Sequence, residues 1–434
     1  MRTKLDLLID DFHERTLPEL MPRDCPFPRV EGKANAVIGM RRAGKTWFCY
    51  QQMQQLLEQG VSRQRLLYFN FEDDRLLPFS VADFQLIPEI YYLKFPALKD
   101  QQCFLFLDEV QRIGGWESFV RRLLDTERMT VCVTGSSSRL LSKEIATSLR
   151  GRSLTIEIFP FSFAEFLRFH DAAPPQSGQF GSAARARLQH MAHQYLKQGG
   201  FPEVQSLDEQ MRRQILRNYL DVVLFRDVVE RYSVQNTVAL RSLMRHLLSA
   251  PSTRFSVNKF YRSLQSRGVA CTKNHLYEYL NHLADAFLVY QVPLFSRSEK
   301  VRQVNPKKVY IIDPGLLQVA SFRMTEDRGA LLENLVYMQL RRRGLSAEYY
   351  LTQGGNEVDF VVLDDTQSKE NRRLIQVCWD LHTPETRQRE VQSLLCALDE
   401  LNLEKGTIVT WLDEDSSHPQ VEIVPAWKWL LDSK

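Results

Sequence analysis

Apolar residues follow two rhythms along this chain, and the rhythm changes twice. Over 33–175, short apolar runs (NAVIG at 35–39, LLYFNF at 66–71, CFLFLDE at 103–109, TVCVTG at 130–135, LTIEIF at 154–159) alternate with segments whose apolar side chains recur every three to four residues. WFCYQQMQQLLEQG at 47–60, closed by a glycine, and WESFVRRLLDTE at 116–127 are two of these. Apolar runs this short suit strands buried on both faces, and the helical segments between them return the chain across the sheet. The alternation predicts a parallel sheet with helices on both sides, an α/β fold.

From about 185 to 300 the helical period dominates, with QILRNYLDVVLFRDVVERY at 214–232 as a long helix and GGFPEV at 199–204 as a turn between helices. A basic unit follows: SVNKFYRSLQSRG, then TKNHLYEYLNHLADAF, then LVYQVPLFSRSEKVRQVNPKKVYIID. Two helices, a tight link and a basic hairpin in that order resemble a winged helix-turn-helix. After about 315 a helix (RGALLENLVYMQLRRRG) leads to the strand-like runs AEYYLTQ, NEVDFVVL and RLIQVCWDL, then to a helix through about 401 and the strand TIVTWLD. The expected division is an N-terminal helix and linker over 1–32, an α/β domain over 33–175, a helical and winged-helix-like region over 176–312, and a second α/β domain over 313–434.

Composition narrows the class. A hydrophobic share of 44% and a charged share of 25% are those of a soluble globular protein. Net charge is only +3, so any nucleic-acid surface has to be local; residues 251–312 hold 10 Lys/Arg against 3 Asp/Glu. The seven cysteines have neither CxxC spacing nor clustered histidines, which points to reduced thiols rather than zinc or disulfides. MRTKLDLLIDDFHER carries acids where a signal peptide needs its apolar run, and apolar stretches stay far short of a membrane span. The expectation is a cytoplasmic protein without a membrane partner.

GMRRAGKT, residues 39–46, fits the phosphate-binding loop G-x-x-x-x-G-K-[ST]. Gly39, Arg41, Arg42, Ala43 and Gly44 would wrap backbone N–H groups around phosphate oxygens at a helix N-terminus. Lys45 would reach the β- and γ-phosphates, and Thr46 would offer its hydroxyl to Mg2+. Asp108 and Glu109 end an apolar strand, so Asp108 is placed to hold the metal with Thr46, and Glu109 to polarise an attacking water. ATP and Mg2+ are thus the expected ligands. In TGSSS at 134–138, Ser136 is the favoured hydroxyl beside the γ-phosphate, with a polar turn as the standing alternative. Arg150 or Arg152 is either a finger toward a neighbouring subunit or a structural ion pair.

Taken in order, IGMRRAGKT, FLDEVQRIGGWESFVRRL, TGSSSRLLS, LRGRSLTIEIFPFSFAEFL, GGFPEV, NEVDFVV and IQVCWDL resemble a prokaryotic family of AAA-type ATPases. Its members carry a C-terminal domain of unknown function similar to restriction endonucleases, of the PD-(D/E)XK kind. The resemblance spans nearly the whole chain. It implies nucleotide-site roles for Lys45, Thr46, Asp108 and Glu109 and a role for Arg152 in the Gly-Arg before PFSFAEF.

Restriction-type nucleases need a helical acid, an Asp at a strand end and (D/E)-x-K on the next strand. Here Glu333 and Asp359 match the first two. Gln376 and Cys378 stand where the second acid and the lysine belong. Hard Mg2+ prefers carboxylate oxygens, and a thiol cannot replace an ammonium, so a non-catalytic scaffold is expected.

In TKNHLYEYLNHLADAF, Leu276, Leu280, Leu283 and Phe287 make one buried stripe, with Lys273, Tyr277 and Asn281 opposite. That face and the hairpin lysines Lys307 and Lys308 are the candidates for contact with DNA or RNA. The leading function is a Mg2+-dependent ATPase coupling turnover to rearrangement, on nucleic acid or as a homo-oligomer. A nucleotide-switched binding module with negligible turnover and an ATP-coupled nuclease stand as alternatives.

Overall fold

The computed structural model describes residues 1–135, 149, 151–174, 180–320, 327–363 and 372–432. The chain forms two units, one of residues 1–159 with 285–287, the other of 160–284 with 288–434.

In the first unit, α1 (Arg2–Glu14) precedes five strands: β1 (Ala34–Ile38), β2 (Leu66–Asn70), β3 (Cys103–Asp108), β4 (Met129–Gly135) and β5 (Ser153–Glu157). They pair in parallel in the order β2-β3-β4-β1-β5. The five apolar runs of the sequence are these strands, and β1 and β3 are buried throughout. Parallel neighbours need crossovers, supplied here by α2 (Lys45–Glu58), α3 (Leu86–Lys94) and α4 (Trp116–Thr126). Phe48, Cys49, Met53 and Leu56 of α2 pack with Val37, Tyr68, Phe104, Phe106 and Cys132 of the sheet. A β2-β3-β4-β1-β5 order brings the carboxyl ends of β3, β4 and β1 side by side. Loops leaving those ends share one edge of the sheet, where ligands of open α/β sheets bind.

The second unit begins with α5 (Phe163–Phe169), α6 (Ser182–Gln198) and α7 (Glu209–Val222), the last continuing as a π-helix over Val223–Glu230. Then come α8 (Thr237–Ser249), β6 (Thr253–Phe255), α9 (Val257–Ser266), α10 (Lys273–Asp285), β7 (Val289–Val292), α11 (Glu299–Val304) and β8 (Lys307–Ile311). The three strands make an antiparallel sheet in the order β6-β8-β7. On α10, Leu276, Leu280 and Leu283 are buried, while Thr272 accepts a hydrogen bond from the His275 N–H and caps the helix.

The remaining elements are α12 (Pro314–Ala320), α13 (Arg328–Arg342), β9 (Ser346–Leu351), β10 (Glu357–Leu363), β11 (Arg373–Val377), α14 (Pro384–Leu401), β12 (Gly406–Thr410), β13 (Val421–Pro425) and α15 (Ala426–Leu431). The five strands pair in the order β13-β12-β11-β10-β9, antiparallel from β9 to β11 and parallel from β11 to β13. The sheet is therefore mixed.

The stretch between β7 and β8 departs from the expected free hairpin. Leu294 bridges to Tyr349, and the N–H groups of Phe295 and Tyr349 donate to the carbonyls of Tyr349 and Pro293. Arg302 on α11 pairs with the buried Glu348. The β7–β8 connection thus extends the edge of β9, and edge pairing explains why it does not project as a wing.

Candidate nucleotide site and C-terminal carboxylate cluster

GMRRAGKT leaves the end of β1 and turns straight into α2. Gly39 has φ of 142° and Gly44, at the helix N-cap, has φ of 102°. A Cβ on Gly39 would lie 2.2 Å from the Ile158 carbonyl oxygen, so both space and backbone conformation demand glycine there. Arg42 also adopts a positive φ, with its side chain exposed, and Ala43 is buried. Arg41 lies 3.5 Å from Glu72. Lys45 is buried; its ammonium donates to the carbonyls of Gly39 (3.1 Å) and Met40 (3.2 Å) and lies 3.8 Å from Glu109.

Asp108, at the end of β3, is 2% exposed and accepts three hydroxyls: Thr46 (2.7 Å), Tyr68 (2.8 Å) and Thr134. Burial, and after it the Glu109 charge, pushes the Asp108 carboxyl up; Thr134 and then Thr46 and Tyr68 pull it back. Glu109 follows in the left-handed region, φ of 52°. Its N–H donates to Thr134 Oγ1 (3.0 Å), and its carboxylate accepts from Gln111. One threonine at the end of β4 thus ties both acids together.

These residues fit a nucleotide triphosphate with its metal. The glycine-lined loop at a helix N-terminus offers amides and an ammonium to phosphate, and the Thr46–Asp108 pair offers two hard oxygens to Mg2+. Among the described residues no group of three or more His, Cys, Asp or Glu is placed to hold a metal ion by itself. Mg2+ bound through one carboxylate, one hydroxyl and the substrate's own phosphates needs no such group.

Other expected residues are dispersed. Ser136 and Arg150 lie outside the described residues. The hydroxyl that meets Asp108 and Glu109 is Thr134, the first residue of the same TGSSS stretch; it lies in the buried run at the end of β4, next to its last residue Gly135, a position available in the sequence. Arg152 pairs with Asp125 and sits just before β5, with its carbonyl accepting from Ala34 N–H. It is therefore at the sheet edge where β1 begins, roughly 15 Å of strand away from the phosphate loop.

The second unit holds a different cluster. Glu333 on α13 and Asp359 on β10 come together as expected, joined by Glu357. Lys308 is not an exposed phosphate contact. Strand β8 is buried after Lys307, and the Lys308 side chain, 2% exposed, points into this cluster. Its Nζ is 2.8 Å from Glu333 Oε1, 2.7 Å from Glu357 Oε1 and 2.8 Å from Asp359 Oδ1. Tyr310 donates to Glu333 (2.6 Å), and Val377 N–H to Asp359 Oδ2 (2.9 Å). Burial and the Asp359 charge push the Glu333 carboxyl up, against the pull of Lys308. Gln376 on β11 is buried, accepts from Asp359 N–H (3.2 Å) and donates to Glu390 on α14 (2.8 Å). Cys378 donates to the Asp380 carbonyl, and burial pushes its thiol up to about 11, so it is a neutral donor. Lys273, Tyr277 and Lys307 are exposed, with Tyr277 50% accessible.

Residues 31–167 match the AAA domain family model, and residues 189–327 match a family described as a domain of unknown function (DUF8612). An uncharacterized protein of Haemophilus influenzae is 29% identical over 91% of this chain and 93% of its own. The solved structure of the Aeropyrum pernix ORC1 protein in complex with DNA covers 79% of this chain and 94% of that one, at 13% identity and a TM-score of 0.30. No helix among the described residues is long and apolar enough to cross a membrane. The uncharacterized protein MJ1544 of Methanocaldococcus jannaschii is 33% identical over 98% of this chain and 94% of its own. With likeness of that extent, the chain belongs to the same family as MJ1544, with an AAA domain over residues 31–167 and a P-loop NTPase-like parallel sheet beneath it.

Proposed function

We propose that this chain binds ATP with Mg2+, hydrolyses it, and passes the change of nucleotide to its helical and C-terminal regions. The observation that carries this reading is the convergence of Lys45, Thr46, Asp108, Glu109 and Thr134 at the adjoining ends of β1, β3 and β4. Backbone amides of 39–45 and the Lys45 ammonium hold the phosphates. Thr46 and Asp108 hold Mg2+, which neutralises charge developing on the phosphate oxygens. Glu109 orients and polarises water, and Thr134 fixes the Glu109 backbone. Calorimetry and phosphate release test this together. Lys45→Ala abolishes nucleotide binding, whereas Glu109→Gln keeps binding and loses about 100-fold or more in turnover. Equal phosphate release from wild type and Glu109→Gln ends the hydrolase reading.

One observation favours a second reading, a nucleotide switch with negligible turnover. The Glu109 carboxylate is engaged by Gln111 and lies near Lys45, a hold that water activation requires it to leave. The same turnover assay separates the two. An ATP-coupled nuclease is disfavoured, because the Glu333–Asp359 cluster is filled by Lys308 and Gln376 stands in place of the second acid.

The β6-β8-β7 sheet with α8, α9 and α10 has the element order of a winged helix, and the exposed face of α10 (Lys273, Tyr277, Asn281) suits DNA or RNA. Arg152, remote from the phosphate loop of its own chain, serves as a finger only across a subunit boundary in a homo-oligomer.

A further inference from the structure

Lys308 carries more than a salt bridge. A lysine ammonium has three N–H donors, and here three carboxylate oxygens from two elements, α13 and β10, lie 2.7–2.8 Å from it. Outer oxygens are satisfied from elsewhere: Asp359 Oδ2 by Val377 N–H, and Glu357 Oε2 by Arg254 at 3.2 Å. The inner oxygens therefore converge on a single point, which is the geometry of a cation site. Arg254 and Lys308 stand directly opposite each other in the β6–β8 pair, a like-charge juxtaposition that costs stability unless an acid lies between them. Glu357 supplies that acid. Removing a lysine from water is costly, and the cost is offset only where good geometry and further hydrogen bonds satisfy the ammonium, as three carboxylate oxygens at 2.7–2.8 Å do for its three N–H groups.

We propose that Lys308 is the resident cation of this site: its ammonium fills the point between Glu333, Glu357 and Asp359, so that the three acids hold no metal while it is there, and makes the cluster a fixed joint between β8 and the C-terminal sheet. The cluster holds three carboxylates against two cations, Lys308 and Arg254, so loss of the ammonium leaves strong demand for a hard cation. The oxygens lie a little beyond Ca2+ distances (about 2.3–2.6 Å) and well beyond those of Mg2+ (about 2.0–2.1 Å). A vacated site therefore favours ions of Ca2+ size over Mg2+. This inference needs neither ATP turnover nor nuclease ancestry.

The test uses the full chain without nucleotide and Tb3+ as a hard, Ca2+-sized probe. Tyr310, hydrogen-bonded to Glu333, is the sensitising ring. Lys308→Ala is expected to give a saturable luminescence signal at least about tenfold tighter than any response of the wild type, displaced by Ca2+ before Mg2+. The added substitution Asp359→Asn is expected to abolish it. A folded Lys308→Ala protein with the wild-type response overturns the proposal, as does tight wild-type binding that Asp359→Asn removes. Should Lys308→Ala not fold alone, circular dichroism with Ca2+ takes over as the readout. Recovery of the folded signal supports the proposal, and no recovery with any of Ca2+, Mn2+ and Mg2+ overturns it.

Discussion

Thr134→Val removes one hydroxyl and keeps the branched shape of the side chain, so its effects trace to two hydrogen bonds. In the wild type Thr134 accepts from Glu109 N–H at 3.0 Å and donates to Asp108 Oδ1. Losing the first leaves a shielded donor at a residue already in the left-handed region, a cost of about 1–3 kcal/mol. Losing the second strips a charged acceptor that is 2% exposed, about 1.5–3 kcal/mol. Together they predict about 2.5–6 kcal/mol of destabilisation, read as a lowered denaturation midpoint of the first unit. Thr134 is the strongest influence holding the Asp108 carboxyl down, so without it that carboxyl protonates at higher pH. The acidic limb of the turnover–pH profile moves upward. The stability gap works the other way: it is full where Asp108 is ionised and narrows as pH falls through its raised pKa, since a protonated carboxyl asks less of its neighbours. An unchanged acidic limb together with an unchanged midpoint refutes the assignment of Thr134.

Gly39→Ala places a methyl 2.2 Å from the Ile158 carbonyl in a backbone region that L side chains rarely adopt; calorimetry should find ATP binding lost, and wild-type affinity would remove the loop from the site. Asp313 is fully buried, accepts from Gly200 and Gly315 N–H, and is pushed up to about 6 by that burial. Its folded pKa lies above the unfolded value, so its contribution is full below about pH 4 and lost as pH rises through about 6, roughly 2–3 kcal/mol in all. Asp313→Asn should flatten the wild-type slope of unfolding free energy across that window, and an unaltered slope counts against the assignment. Lys273→Glu with Tyr277→Ala should weaken retention on DNA or RNA about tenfold or more in filter binding while leaving ATP turnover intact; unchanged retention removes the α10 face.

Strands β1 to β4 were legible because a parallel strand buried on both faces writes a nearly unbroken apolar run, the edge strand β5, with Ile156 alone buried, by the alternation of LTIEIF, and the phosphate loop because its chemistry fixes its spacing. The hydroxyl that meets both acids, Thr134, belongs to β4 itself, since a side chain that bonds an acid on the adjacent strand is set by the strand register; Ser136 lies outside the described residues. Glu333 and Asp359 were paired correctly, since both lie on regular elements whose faces can be counted. Lys308 was misread for a related reason. Periodicity tells which face a side chain takes but not which partner waits there, and the approach of β8 to α13 and β10 is a tertiary event. KKVYIID did hold a hint: a strand apolar on both faces leaves its second lysine no route to water. Ser298, which caps α11 by accepting from Val301 N–H at 3.4 Å, was a second missed sign that the hairpin holds a helix.

The same misreading changes the electrostatics of the proposed nucleic-acid surface. By sequence, residues 251–312 carry an excess of 7 positive charges, 10 Lys/Arg against 3 Asp/Glu. Three of those cations meet acids outside the window: Arg254 with Glu357, Arg302 with Glu348, and Lys308 with Glu333, Glu357 and Asp359. Setting them aside leaves 7 − 3 = 4 in excess. Affinity for a polyanion falls with salt in proportion to the phosphates that free cations neutralise, so a buried lysine adds nothing to that slope. Nucleic-acid contact confined to α10 and Lys307 would accordingly be weak and only moderately salt-dependent.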